Sequence, residues 1–417
     1  MTGDSAAAVR SGSFAPVRTD VVVIGLGAFG SAALWRLAER GVDVVGLDRF
    51  GVGHPFGSSH GVTRLFRVAC QEHPGLSPIA GRTRDLWHEL EDRYRQELVR
   101  QSGCLSVGAP GSTPITGTLA AAAGAGLPVV RMGHDELVAR YPQYAGLGAA
   151  DEAVLDPEAG ICFPERAVRA HVRAASEHGA VVYTDTRVLR LELTADGVVA
   201  HTPTTRVVAR QAVVSAGAWL GQLVPGLPLQ PRRVPLFWFR ARDPRDEGFA
   251  LERFPAFIRQ LPDGRVLWGH GSDSREGFGI KIGMEDQGHN FSDTDPDEVD
   301  RGIHPDTDIA QLSAWVADAF PGVDPVPAGA APCMITTTPD HQFVVGRPGG
   351  DPRLVVAGGD SGHGFKHAAG IGELLAGFTL GETPYTDVGF LSPDRFPASG
   401  NGPSPSWPGP APGYRRP

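Results

Sequence analysis

The basic residues of this chain are divided unevenly between the two residue types. Of the 38 lysines and arginines in its 417 residues, only Lys281 and Lys366 are lysines. Arginine therefore supplies the positive charges that only keep the surface of the protein hydrated. Because a compact ammonium does work that a planar guanidinium does not, we expect both lysines to be functional. The alternative is that they are surface residues that persist by chance.

A glycine-rich segment, Gly25-Leu26-Gly27-Ala28-Phe29-Gly30, follows an unbroken apolar run at residues 21–24. A helix is predicted from about residue 28 to 40, and a second apolar run follows it and ends just before Asp48. This order predicts a dinucleotide-binding turn rather than a plain glycine turn. In such a turn Gly25 makes the tight bend, Gly27 lets the backbone approach a pyrophosphate, Gly30 allows close helix packing, and Asp48 accepts from a ribose hydroxyl.

The loop at residues 57–67 reads Gly-Ser-Ser-His-Gly-Val-Thr-Arg-Leu-Phe-Arg. Because it lies just beyond the predicted nucleotide-binding strands, it is a natural lining for a cofactor. Arg64 and Arg67 are three residues apart and would share one face of a helical turn. The alternative interpretation is an exposed arginine pair of little energetic weight.

Composition excludes several classes of protein. A net charge of -9 argues against nucleic acid or an anionic membrane as a partner. No segment has the pattern of a signal peptide or the length of a transmembrane helix, so a cytoplasmic location is expected. The four cysteines are far apart and lack metal-binding or redox spacing, so no metal site is predicted.

The order of predicted elements indicates an α/β fold with an inserted domain. A strand, a glycine turn and a helix occur at both ends, at residues 20–40 and 353–380, which places both ends in one sheet. The predicted division is an arm at 1–18, a nucleotide-binding domain at 19–100, 155–225 and 335–396, a substrate domain at 101–154 and 226–334, and a disordered Pro/Gly-rich tail at 397–417. Separate strands are predicted at 206–210 and 212–219, and a helix at 78–100.

Five motifs, in order, resemble the monomeric sarcosine oxidase and N-methyltryptophan oxidase family of FAD-dependent amine oxidases. The motifs are Gly25 to Gly30, Ser59 to Arg67, Gly279 to Gly283, Cys333-Met334 with Thr338-Pro339-Asp340, and Ser361 to Lys366. The resemblance covers residues 20–396. It implies a Rossmann-like FAD-binding domain of the glutathione-reductase type and an inserted α+β substrate domain with an antiparallel sheet.

The resemblance also implies roles for single residues. Cys333, which taken alone would be interpreted as a small buried hydrophobic residue, matches the cysteine that binds the flavin covalently. Arg67 and Lys366 match the pair that holds the substrate carboxylate, and Lys281 matches the lysine that promotes reaction with oxygen. Further residues expected to bind the cofactor are Ser58, His60, Thr63, Arg64, Gly359, Gly362, His363, Gly364 and Lys366. Of these, His60 and Arg64 match catalytic residues that line the flavin and help to place positive charge there.

The implied function is oxidation of a secondary amino acid, N-alkylated or cyclic, to an imine, with oxygen reduced to hydrogen peroxide. A monomer acting on small molecules is expected. Two alternatives are a dehydrogenase that passes electrons to another acceptor and a flavin- or NAD-binding module without catalysis. The cation expected at Lys281 favours the oxidase.

Three departures from the family pattern concern the substrate. Ile335 stands where the family usually has Tyr, and Glu285 stands where it often has His. Trp268 lies near a position at which sarcosine oxidases carry Tyr. An aromatic wall in place of small polar groups predicts a bulkier or cyclic substrate rather than sarcosine. The alternative is a drifted loop around an unchanged pocket.

Overall fold

The computed structural model of the protein describes residues 15–286 and 291–396. Most of the predicted arm therefore lies outside the described residues, and its last two residues, Val17 and Arg18, already belong to the first strand. The predicted tail at 397–417 lies entirely outside them.

The helices vary in length from one turn to five turns. They are α1 Ala28–Glu39, α2 Leu76–Tyr94, α3 Thr113–Ala125, α4 His134–Arg140, α5 Pro164–Glu177, α6 Leu220–Leu223, α7 Ala310–Ala319 and α8 Ala368–Leu380.

The strands form two large sheets and one small one. They are β1 Val17–Ile24, β2 Val44–Leu47, β3 Arg64–Phe66, β4 Val99–Arg100, β5 Cys104–Gly108, β6 Val130–Met132, β7 Glu152–Asp156, β8 Gly160–Cys162, β9 Val181–Tyr183, β10 Arg190–Thr194, β11 Gly197–His201, β12 Arg206–Val214, β13 Gln230–Phe239, β14 Ala256–Gln260, β15 Val266–His270, β16 Ile280–Met284, β17 Ser292–Asp293, β18 Gly329–Thr337, β19 Val344–Gly346 and β20 Leu354–Gly358.

The first sheet has a parallel centre in the order β9-β2-β1-β12-β20, with β10, β11 and β19 added antiparallel at its margins. Val21 and Val23 of β1 pack against α1, α2, α5 and α8 in one core, while Val22 and Ile24 enter a second core on the opposite face. Burial on both faces explains the unbroken apolar run. The first and last of the described strands meet in this sheet, as predicted, because β1 and β20 each pair with β12.

The second sheet is mostly antiparallel, in the order β17-β13-β16-β15-β14-β5-β7-β6, with β18 also paired to β13. Side chains alternate between its two faces. Phe257, Leu267 and Ile282 lie in the apolar core on one face. Directly opposed residues share a face, so Trp268 and Gly283 lie on one face together with His270 and Lys281. This other face looks toward the first sheet, and the mixed α/β architecture confirms the predicted fold class.

Two predicted elements differ from the structure. Helix α2 ends at Tyr94 rather than near residue 100, because Arg95 adopts a left-handed φ of 52° and the chain then forms β4. Residues 206–214 form one strand, β12, where two separate strands were predicted. The N-terminal half of β12 pairs with β11 and its C-terminal half with β20, so the long strand joins two parts of the sheet.

The division into two domains remains a proposal. Strand β18 belongs to the second sheet through Thr337, beyond the proposed boundary after residue 334.

Candidate active site

A cavity of about 2080 Å³ opens between the two sheets. Its first wall is formed where the parallel strands β1, β2, β12 and β20 end, at Gly25, Asp48, Ser215 and Gly359. The crevice at the carboxyl ends of parallel strands is where α/β proteins usually bind ligands. The second wall is the face of the second sheet that carries Trp268.

The glycine turn between β1 and α1 has the close contacts that its sequence predicts. Gly25 has a φ of +86°, a backbone conformation that residues other than glycine rarely adopt. A Cβ atom on Gly30 would lie 1.8 Å from the carbonyl oxygen of Gly25. The turn therefore excludes any larger residue at Gly30 and brings the N-terminus of α1 to the cavity. The N–H groups of this first turn suit a phosphate, although that of Ala28 already donates to Ser59 Oγ at 3.0 Å.

Asp48 lies at the end of β2 and lines the cavity. Its Oδ2 accepts a hydrogen bond from Leu26 N at 2.7 Å and its Oδ1 accepts one from Phe50 N at 2.8 Å. Burial raises the pKa of this carboxyl, and the two backbone donors oppose that shift. Asp48 thus fixes the glycine turn in addition to facing the proposed ribose position.

Cys333 and Arg64 meet on the cavity wall. The Cys333 thiol is buried on β18, and Arg64 Nη2 lies 3.7 Å from its Sγ. Arg64 also donates to the carbonyl oxygens of Ser58 at 3.1 Å and Thr63 at 2.9 Å. Burial raises the pKa of the Cys333 thiol, whereas the positive charge of Arg64 opposes the rise.

The two cations predicted to hold a substrate carboxylate already share a carboxylate of the protein. Glu72 Oε1 accepts from Arg67 Nη2 at 2.6 Å and from Lys366 Nζ at 3.1 Å. All three side chains line the cavity. Although burial opposes it, the adjacent Arg67 and Lys366 hold the pKa of Glu72 well below its usual range, so the residue is ionised. Burial acts to lower the pKa of Arg67, but the charge of Glu72 opposes burial, and the pKa is raised.

Lys281 lies behind the cavity wall rather than on it. Its Nζ donates to the carbonyl oxygens of Gly61 at 2.9 Å and Thr63 at 2.8 Å, and it lies 5.2 Å from the centre of the Trp238 ring. The side chain is 1% exposed. Burial, and after it the charge of Arg64, lowers the pKa of Lys281 well below its usual range. Neither of the two lysines is therefore a surface residue, since Lys366 is also buried.

Two predicted histidines are neutral near pH 7. Burial, reinforced by Arg64 and Lys281, lowers the pKa of His60 to about 3. Burial also lowers the pKa of His363 to about 4, and its Nε2 lies 3.0 Å from the His341 carbonyl oxygen, to which it donates. Positive charge beside Cys333 thus comes from Arg64 and not from His60.

The structure brings most of the predicted site residues to a single cavity. Those on its wall are Gly25, Gly27, Asp48, Ser58, Arg64, Arg67, Trp268, Cys333, Ile335, Gly359, Gly362, His363, Gly364 and Lys366. Four others, Gly30, His60, Thr63 and Lys281, lie in the layer behind it.

Four residues near this site were missed by sequence reasoning. Glu72 bridges the cation pair, and Glu165 and His270 bind the loop in front of Lys281. Asp360 lines the cavity, and burial raises its pKa to about 6. The position of Asp360 among the glycines of the 358–364 loop could have identified it as a candidate site residue. The others are defined by long-range contacts and carry no sequence pattern.

One end of the cavity has an aromatic wall. Trp268 lies over Gly283 on the neighbouring strand, so that a Cβ atom at Gly283 would lie 2.3 Å from Trp268 Cζ2. Ile258 shares this wall, and Gln71 and Gln260 each present a buried Oε1 with no hydrogen-bond partner among the described residues. This end combines a flat apolar surface with acceptors for a donor group.

The cavity wall fits a polar cofactor. Buried polar atoms of the wall that lack a protein partner within residues 15–286 and 291–396 include Arg67 Nε, Gln71 Oε1, Glu72 Oε2, Gln260 Oε1, Thr336 Oγ1, Gln342 Oε1 and His363 Nδ1. Such atoms are normally satisfied by a ligand or water. A flavin dinucleotide and a small polar substrate would supply these partners.

In the described ranges, no helix is long and apolar enough to cross a membrane.

Comparisons with known proteins agree with this geometry. Residues 20–377 match the family of FAD dependent oxidoreductases. The monomeric sarcosine oxidase of Streptomyces avermitilis is 33% identical over 384 residues, which cover 91% of this chain and 98% of that protein. The N-methyl-L-tryptophan oxidase of Salmonella typhimurium is 31% identical over 387 residues, covering 91% and 100%.

Solved structures extend the likeness to the fold. The open form of NikD, an unusual amino acid oxidase essential for nikkomycin biosynthesis, superimposes with a TM-score of 0.77 at 24% identity. The match covers 90% of this chain and 98% of that one.

Proposed function

Because the chain belongs to the FAD-dependent oxidoreductase family, we propose that it is an oxidase of secondary amino acids, N-alkylated or cyclic. The products are an imine, which water hydrolyses, and hydrogen peroxide. The observation that carries the proposal is the pair of buried cations, Arg67 and Lys366, on the wall of the same cavity as the glycine turn and Cys333.

FAD would be held by two parts of the cavity wall. The glycine turn and the N-terminus of α1 suit the pyrophosphate, Asp48 suits the ribose, and Cys333 is the proposed point of covalent attachment. When bound, FAD would accept two electrons as a hydride equivalent from the carbon next to the substrate nitrogen and would pass them to oxygen.

The protein orients the amino acid through its carboxylate. Arg67 and Lys366 both donate to Glu72 Oε1, which shows that their donors converge on one carboxylate oxygen. A substrate carboxylate would compete with Glu72 for these donors or join it at the edge of the pair. Charge-assisted bonds in a buried cavity fix the position of the substrate, whose neutral amine is then free to react.

Positive charge near the proposed flavin site would promote the reaction with the second substrate, oxygen. Arg64 lies on the wall and Lys281 directly behind it. A cation held in a buried site stabilises the anion formed when oxygen is reduced. This pair favours an oxidase over the alternative of a dehydrogenase with another electron acceptor.

An aerobic activity screen tests the proposal. Purified holoprotein is supplied with N-methylated and cyclic amino acids and with the matching primary amino acids, while oxygen uptake and peroxide are measured. We expect equal amounts of both signals with secondary amino acids. Anaerobic bleaching of the flavin with activity only toward artificial acceptors would favour the dehydrogenase. Failure of every amino acid to bleach the flavin would reject both enzymes.

We also propose that the protein is a monomer and that it is located in the cytoplasm.

A further inference from the structure

The loop in front of Lys281 has an unfavourable backbone conformation. Gly61 has a φ of +97° and Val62 a φ of +67°. A β-branched residue such as valine rarely adopts positive φ, so surrounding groups must hold this conformation in place.

Two charged side chains bind the loop from different sides. Glu165 Oε1, from α5, accepts hydrogen bonds from Gly61 N at 2.7 Å and Val62 N at 3.1 Å. Lys281 Nζ, from β16, donates to Gly61 O at 2.9 Å and Thr63 O at 2.8 Å. The loop therefore connects a carboxylate to an ammonium through its peptide groups.

A histidine completes this arrangement. His270, opposite Lys281 on the neighbouring strand, lies with Nδ1 2.7 Å from Gly271 O and Nε2 2.7 Å from Thr63 Oγ1. Nδ1 must carry the proton to bond a carbonyl, so the Thr63 hydroxyl donates to Nε2. The ring is neutral near pH 7, because burial lowers its pKa to about 3.

Several groups act on the charge of Lys281. Arg64 and burial oppose a positive charge there, whereas Glu165 favours it. The titratable and charged groups that face Lys281 from the surrounding elements are Arg64 and His60 of the 57–67 loop, Glu165 of α5, Cys162 of β8, Cys333 of β18 and His270 of β15.

We propose that Glu165 is a positioning residue that keeps Lys281 an ammonium by holding the 61–63 loop so that two carbonyl oxygens point at its Nζ. The consequence for oxygen chemistry rests on the proposed function. The charge state itself does not, and it can be measured without turnover.

The presence of only two lysines in the chain permits a direct test. In holoprotein labelled with 13C-lysine, the Cε resonances report the charge of Lys281 and Lys366, and a Lys366→Met variant assigns them. We expect the Lys281 signal of an ammonium at pH 7.5. In Glu165→Gln its titration midpoint should fall by about one pH unit or more, because a neutral amide holds the two loop N–H groups less firmly than a carboxylate and a nearby counter-charge is lost.

Glu91 provides a matched control. Its Oε1 accepts hydrogen bonds from two consecutive backbone donors, Leu98 N at 2.6 Å and Val99 N at 2.8 Å, away from the cavity. Glu91→Gln should leave the Lys281 midpoint unchanged. If Glu165→Gln does not fold, Glu165→Gln with Val62→Gly relieves the positive φ and should still lower the midpoint.

A neutral Lys281 in the wild type at pH 7.5 would overturn the inference, and so would an unchanged midpoint in the Glu165 variants. Absence of oxidase activity would reject the proposed function while leaving this titration readable.

Discussion

Glu72 Oε1 accepts a hydrogen bond from Arg67 Nη2 at 2.6 Å, and Lys366 Nζ donates to the same oxygen at 3.1 Å. The protein thus supplies an internal carboxylate to the cations that are proposed to bind the substrate carboxylate. Removing Glu72 would leave two buried cations without this carboxylate, which is strongly unfavourable. Substrate binding and the stability of the empty site should therefore change in opposite directions when Glu72 is replaced.

Glu72→Gln is expected to strengthen the binding of carboxylates. With the competing charge removed, the Kd for propionate should fall about tenfold, or about 1.4 kcal/mol, while the melting temperature falls. Titration of the flavin absorbance measures the first quantity and thermal unfolding the second. Glu373→Gln, which breaks a half-buried cluster with Arg36 and Arg40 outside the cavity, should lower stability without changing the Kd. Weaker propionate binding in Glu72→Gln would contradict the clamp.

Arg67→Ala and Lys366→Ala should each weaken amino-acid substrates by about 2 kcal/mol or more, because each removes a charge-assisted bond in a buried site. Comparing steady-state kcat/KM for the amino acid and for its methyl ester separates the loss of carboxylate binding from any other effect of the substitution. The ester lacks the carboxylate and should lose little further in the variants. A large additional loss with the ester would show that these residues act on something other than the carboxylate.

Cys333→Ala should release the flavin. The wild type is expected to stay yellow after acid precipitation because a covalent bond survives unfolding, whereas the variant should lose its colour to the supernatant. Cys104→Ala, at another buried thiol, is the control and should retain the colour. Release of flavin from the acid-treated wild type would remove covalent attachment from the proposal.

Stability should fall with acid because several histidines are buried in the neutral form. Burial lowers the pKa of His171 to about 3, and this ring accepts from Trp87 Nε1 at 2.9 Å and bonds Ser31 Oγ at 3.0 Å. The unfolded chain binds the proton near pH 6.5, so the contribution is complete above that pH and is lost as pH falls toward 3.

Each such histidine should cost about 1 kcal/mol of the free energy of unfolding between pH 6.5 and 5.5. Urea unfolding at the two pH values measures this loss. In His171→Gln, whose amide can still accept from Trp87 and donate to Ser31, the loss should be smaller by about that amount. An equal loss in the variant would show that His171 is not the titrating group.

Local patterns predicted the parts of the fold that depend on neighbours in sequence. The glycine spacing predicted the turn before α1, and the end of α8 at residue 380 was predicted correctly, where Gly381 ends the helix in a left-handed conformation. The end of α2 was predicted wrongly, because Arg95 adopts that conformation with no glycine to mark it. Strand β18 was not predicted, since Pro332 and its small neighbours obscure the alternation typical of strands.

Long-range contacts account for what the sequence could not show in the site. Glu165 is 104 residues from Gly61, and nothing near either residue indicates that they bond. Family resemblance identified Arg67 and Lys366 as a pair but gave no sign that Glu72 shares them. Sequence-distant partners of a buried charge become visible only when the sheets and helices have been assembled.

The aromatic wall at the end of the cavity makes a prediction about the substrate. Trp268 lies flat over Gly283, and Ile335 offers no hydroxyl. Sarcosine should therefore be a poor substrate, and a bulkier or cyclic secondary amino acid should be preferred by about tenfold or more in kcat/KM, since an apolar wall contributes about 1–3 kcal/mol per methylene. Trp268→Leu should reduce that preference. Trp315→Leu, buried in the core on the opposite face of the sheet, should lower stability while keeping the preference. Sarcosine proving the best substrate in a side-by-side panel would contradict the assignment of Trp268 to the substrate pocket.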